Sequence, residues 1–305
     1  MAVKKVKKTI KENISLELRF PKYVGYADYF LNTPVSMQIK NALAEAVSVT
    51  VHAGSEEGLL AEYETQTEVP FESSVELNAD GIFSPLFLSE NDELTPCTAE
   101  VTVLTEGEEI CKKRARVTAL PFDWWEGIEG NAERLACFVR PKNADCSAVL
   151  ADAGKRLKKW KIDSEFYGYT GTDKNVVRQI AAAIYAAVKS RAVERAEETN
   201  LTEPLSAVKA SSILKDHSAS ALQIAIFTAA CLEAAHLHPV LAVGEKAVGV
   251  GVWLYDSCFL DSVSDDAEIV GKYVSDGINN LSFFDAEDLF SSVSTAFTPA
   301  EAHFR

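Results

Sequence analysis

The chain has 305 residues, 47% hydrophobic and 25% charged, the composition of an ordinary globular protein of about two domains. Its net charge of −15 repels phosphate, so direct nucleic-acid binding is not expected, and no apolar run reaches the roughly 18 residues that span a bilayer. The six cysteines, at 97, 111, 137, 146, 231 and 258, form no Cys-x-x-Cys pair, which argues against a zinc site or a disulfide framework; no metal or cofactor is expected.

Residues 1–12 read as a basic lead-in, opening Met1-Ala2-Val3-Lys4-Lys5-Val6-Lys7-Lys8 with no apolar stretch behind it. That is not a signal peptide, and a cytoplasmic location follows by default. From Ile14 the pattern takes period two: Ile14, Leu16, Leu18 and Phe20 alternate with polar residues. Similar runs recur at Val35–Ile39, Val47–Val51, Val75–Leu77, Val101–Leu104 and Arg114–Leu120, separated by turn residues such as Asn78-Ala79-Asp80-Gly81 and Glu106-Gly107-Glu108. Short strands so punctuated predict an antiparallel β-sandwich over 13–121. His52 stands alone there and reads as a structural or surface histidine.

Pro121 ends the last strand, and Trp124-Trp125 follow, read as an aromatic wedge between the sandwich and a second domain, 122–305, with an exposed aromatic platform for a partner as the rival reading. Leu135–Val139 reads as a short strand or extended arm before Pro141. Asn143 or Asp145 caps a helix reaching Trp160, and Thr172 is placed to cap another over Asp173–Arg191. Glu194–Pro204 is polar and aperiodic, the pattern of a loop. Ala221–Ala235 is apolar on nearly every side, as a helix buried in a core is, with Ser220 and Gln223 forming a capping box. Two apolar runs, Pro239–Val243 and Ala247–Leu254, predict a hairpin. A helix over Ala267–Asp276 and a strand at Leu281–Phe284 close the pattern, with Asp285 at the strand's end.

The stretch Ile213–Leu254 resembles the transglutaminase-like (papain-like) domain found near the N-terminus of large bacterial helicase-like proteins. There a Gly-Thr-Cys-Leu-Asp motif opens the helix and Gly-His-Ala-aromatic opens the second strand. In this chain Ala219-Ser220-Ala221-Leu222-Gln223 holds the first place and Lys246-Ala247-Val248-Gly249 the second, while Cys231-Leu232-Glu233-Ala234-Ala235 and Gly251-Val252-Trp253-Leu254 match the flanks. The resemblance implies an α+β protein, a β-sandwich followed by a transglutaminase-like domain, whose triad has degenerated to Ala221, Ala247 and Asp285. Ala219 and Lys246 also depart from the motif glycines, which points to natural loss and not a laboratory change.

With no nucleophile or base, the expectation is a pseudoenzyme, a binding or scaffolding module. Its cleft, lined by Ser220, Ala221, Gln223, Ala247 and Trp253, would hold a protein or peptide segment, with a helicase-like partner or continuation implied by the resemblance. In the active enzymes a substrate-facing loop occupies the place of Glu194–Pro204. The competing reading is an active hydrolase or acyltransferase that uses Ser220 with His217.

Overall fold

The computed structural model describes residues 10–128, 132–162, 165–170, 173–197, 200–209, 212–245, 247–275 and 277–290. The protein is mixed α+β and divides into two compact units, Met1–Trp124 and Trp125–Arg305. The expected boundary, between Pro121 and Phe122, lies three residues earlier.

In the first unit the elements run β1 (Ile14–Arg19), β2 (Tyr23–Val24), α1 (Tyr26–Phe30), β3 (Val35–Asn41), β4 (Val47–Ser55), β5 (Tyr63–Val69), β6 (Ser73–Ala79), α2 (Pro85–Glu90), β7 (Thr95–Thr105) and β8 (Glu108–Ala119). They form two sheets, ordered β1-β3-β6 and β2-β8-β7-β4-β5, antiparallel except for the β2–β8 pair. Period-two alternation turns Met37 and Ile39 of one sheet toward Val49, Val51, Val101 and Val103 of the other, and these residues share one core. The β7–β8 hairpin turns on Glu106 (φ 47°) and Gly107 (φ 77°), both left-handed, the geometry that matches strand twist. Strand β5 escapes the apolar pattern because it is an edge strand, in which Val69 is the buried residue.

β9 (Trp124–Trp125) falls at the division between units, and Trp125 is a core residue of the second. That unit continues with a 3-10 turn at Ala132–Phe138, α3 (Ala144–Lys159), α4 (Lys174–Lys189), β10 (Glu194–Arg195), β11 (Leu205–Ser206), α5 (Ile213–Asp216), β12 (Ser218–Ala219), α6 (Ala221–Ala234), β13 (Pro239–Val243), β14 (Val248–Trp253), α7 (Ala267–Val274), β15 (Leu281–Asp285) and a 3-10 turn at Ala286–Leu289.

Two expectations are corrected here. The arm predicted over Leu135–Val139 is instead part of a 3-10 turn, which puts Leu135 and Phe138, three residues apart, on one buried side. The cap of α4 is Asp173, whose side chain accepts the Asn175 N–H; Thr172 lies outside the described residues, as do Lys246 and Asp276.

Helix α6 is the centre of this unit. Every residue from Ala221 to Leu232 is buried. Helices α3 and α4 and strands β13 and β14 pack around it. Its one buried hydroxyl, Thr228, is satisfied by donating to the Ile224 carbonyl at 2.7 Å. It ends where His236 turns left-handed (φ 59°), and Pro239 then opens β13. β13, β14 and β15 form an antiparallel sheet in that order. Alternation gives it two buried faces. Val248, Val250, Val252 and Phe284 join the core around α6, while Trp253, Leu281 and Phe283 form a smaller core under α7.

Candidate functional site

The N-terminus of α6 is built tightly. Ser220 Oγ accepts the Gln223 N–H at 3.3 Å, and Gln223 Oε1 accepts the Ser220 N–H at 3.1 Å, so the capping box is complete. Gln223 Nε2 then donates to Ser206 Oγ at 3.0 Å, tying the helix start to β11. Ser220, Gln223 and Ala221 are 7%, 8% and 2% exposed, so the helix start is buried.

Of the other residues singled out from the sequence, Ala247 directly precedes β14, is half-buried, and accepts the Gly244 N–H at 2.8 Å. It is not among the core residues that Ala221 shares with β14. Asp285 pairs opposite Gly249, and its Oδ1 accepts the Glu287 N–H at 2.9 Å, capping the 3-10 turn that follows. Trp253 sits at the far end of β14 from Ala247, about 20 Å away at 3.3 Å per residue. Its ring is flanked by Tyr255, Phe259 and Tyr273. The structure thus brings Ser220, Ala221 and Gln223 together, and places Trp253 in a separate aromatic cluster.

The two residues of the serine-histidine reading each have a partner of their own. The Ser220 hydroxyl is engaged as a cap, and His217 Nδ1 lies 3.3 Å from the Arg191 carbonyl. Among thiols, Cys146 and Cys231 are buried side by side between α3 and α6. Burial, with the Cys146 thiol beside it, pushes Cys231 well up, while its hydrogen bond to Cys146 holds that thiol below the usual range. Cys258 is exposed. Among the described residues no group of three or more His, Cys, Asp or Glu side chains could hold a metal ion.

What sequence reasoning missed lies in Glu194–Pro204. Glu194–Arg195 pairs in parallel with Ser218–Ala219, the two residues before the α6 cap. Arg195 Nε reaches the Glu287 carboxylate oxygens at 2.8 and 2.9 Å. No local signal marks Glu194–Arg195, because its pairing is long-range and both side chains are exposed. A hollow of about 390 Å³ lies on the outward face of β4, β7 and β8. It forms where Gly54 lacks a side chain among His52, Glu100, Thr102 and Arg114.

No family model and no curated protein matches the chain. Among solved structures it has a likeness to one named as a beta-galactosidase from Bacteroides fragilis, at TM-score 0.22 and 9% identity, covering 34% of this chain and 15% of that one. A likeness at that level carries no argument about fold or function.

Proposed function

We propose that the chain is a catalytically silent protein of transglutaminase-like architecture, working as a binding or scaffolding module for a protein or peptide segment. The observation that carries this reading is the first turn of α6. Covalent acyl transfer needs a nucleophile there with a base in reach. Position 221 is alanine, and the neighbouring Ser220 hydroxyl is held by the Gln223 N–H. The buried helix feeding an antiparallel three-stranded sheet supports the architectural part of the reading. Its link to a helicase-like protein rests on sequence resemblance alone.

The test is a survey of peptide and amide hydrolysis and of glutamine–amine transfer on the purified chain. No turnover is expected. Turnover that survives thiol alkylation and disappears in Ser220→Ala would establish the hydrolase reading in its place. In the inactive protein the same substitution lowers stability by about 1 kcal/mol through loss of the cap, read as a shift in the urea midpoint.

A further inference from the structure

We propose that Glu194–Ala196 is an internal occupant of a strand-binding groove along β12, and that the groove's external ligand is an extended peptide carrying an arginine. This rests on the partner-binding reading above and deepens it by naming the ligand's chemistry. The groove is defined by what the occupant uses. The N–H groups of Glu194 and Ala196 donate to the carbonyls of His217 and Ala219, each at 2.8 Å, so alternate residues of the segment dock as an added parallel strand. Between them Arg195 turns its guanidinium to Glu287, with Nε at 2.8 and 2.9 Å from the two carboxylate oxygens and Nη2 at 2.8 Å from one of them.

These are contacts that any extended peptide with an arginine at the middle position can reproduce. The segment's own side chains are not buried, and Arg195 and Glu287 are 45% and 47% exposed. Anchoring comes from outside it. Val193 before and Leu201 after are 2% and 3% exposed in the core. The segment is therefore a strap fixed at both ends, and an exposed ion pair of this kind holds only weakly. Its advantage over a free peptide is the tether, worth an effective concentration on the order of millimolar. At the strap's base Ala192 is left-handed (φ 49°) without being glycine, and at the base of β12 so is His217 (φ 50°). Both strands of the groove thus begin at strained residues, a feature that collects at functional and switching segments.

The experiment measures fluorescence anisotropy of a labelled peptide with the sequence of residues 191–197 against the full chain and two variants. Arg195→Ala frees Glu287, and replacement of 194–197 by four glycines removes the arginine and loosens the ladder. Circular dichroism checks that each variant is folded. Both variants are expected to bind the peptide at least about tenfold more tightly than the parent chain does. Binding should be lost when the peptide's arginine at the position of Arg195 is alanine, and when Glu287→Gln is added to the variant. Absence of saturable binding to both folded variants overturns the proposal, as does binding indifferent to the peptide's second arginine, the one at the position of Arg195, and to Glu287. Catalytic turnover in the survey above would overturn the inactive reading and leave this binding result standing, so the two failures are distinguishable.

Discussion

Gly249 and Gly251 owe their place in β14 to one aromatic ring. A Cβ at Gly249 would come within 2.4 Å of two Phe283 ring atoms, and one at Gly251 within 2.7 Å of another. Strand pairing puts Phe283 directly opposite Gly251, so the ring lies across both glycines and cannot retreat without leaving the small core under α7. Gly249→Ala is expected to cost about 3 kcal/mol, the upper part of the usual range for overpacking. Adding Phe283→Leu should return part of that loss, since the two sites share one contact. Gly54→Ala is the control: nothing lies within 4 Å of its added Cβ, and the urea midpoint should hardly move. Ala192 presents the opposite case. It is exposed with φ 49°, a conformation that costs an L-residue roughly 1–2 kcal/mol. Glycine relieves that and gives back about 0.5–1 kcal/mol in chain entropy. Ala192→Gly should therefore stabilise the protein by about 0.5–1 kcal/mol, seen as a higher urea midpoint; a lower one would show that the left-handed turn is not strained.

At the scale of elements, α6 decides the second unit. Phe227 is 6% exposed on a helix enclosed by two helices and a sheet, so Phe227→Ala should cost about 3–5 kcal/mol by denaturant unfolding. A loss under 1 kcal/mol would mean the helix is not the unit's core. This element was legible from the sequence because its signals are local: an all-round apolar run, a Ser-x-x-Gln cap, and a proline after it. The hairpin Pro239–Val243 with Val248–Trp253 was legible for the same reason, two apolar runs around a short turn region. What stayed hidden was settled by partners distant in the chain. The β10–β12 pairing joins residues 24 apart, as in Glu194 with Ser218, and Arg195 meets Glu287 across 92 positions. Trp253 shows the converse limit. Motif matching attached it to the helix start, but alternation along β14 sends it to the Phe283 face. The capping pair Ser220 and Gln223 was read correctly, because a capping box is a local pattern.

For the whole molecule, the charge on ionisable groups sets how stability responds to pH, and the groups with most influence lie at the alkaline end. Burial pushes Tyr169 up to about 12, with Asp256 adding to it against the hydrogen bond from the His238 N–H. Burial, with Asp288, pushes Tyr185 up to about 12 as well. In the first unit burial, with Glu57, takes Cys97 to about 11. Each is an acid whose folded form keeps its proton beyond the pH at which the unfolded chain releases it. Between roughly pH 9 and 12 the native state thus binds more protons than the unfolded state, and stability must fall as pH rises. The slope is about 1.4 kcal/mol per pH unit for each group. From about pH 10 to 12 the two tyrosines of the second unit give a combined slope of about 2.7 kcal/mol per unit. The net charge of −15 becomes more negative over the same range, and self-repulsion acts in the same direction. On the acid side Glu17 and Glu100 are depressed, by Lys40 and by Lys112 with Arg114, and their stabilisation would be lost as pH falls. They are surface pairs, screened by water, so the acid limb should be shallow beside the alkaline one. Urea midpoints from pH 7 to 11.5, with ultraviolet titration of the tyrosines, check this. Two tyrosines should resist ionisation to near pH 12 in the folded chain while the midpoint falls steeply above pH 10. A midpoint level to pH 11.5 would mean that Tyr169 and Tyr185 are not held in their buried hydrogen-bonded places.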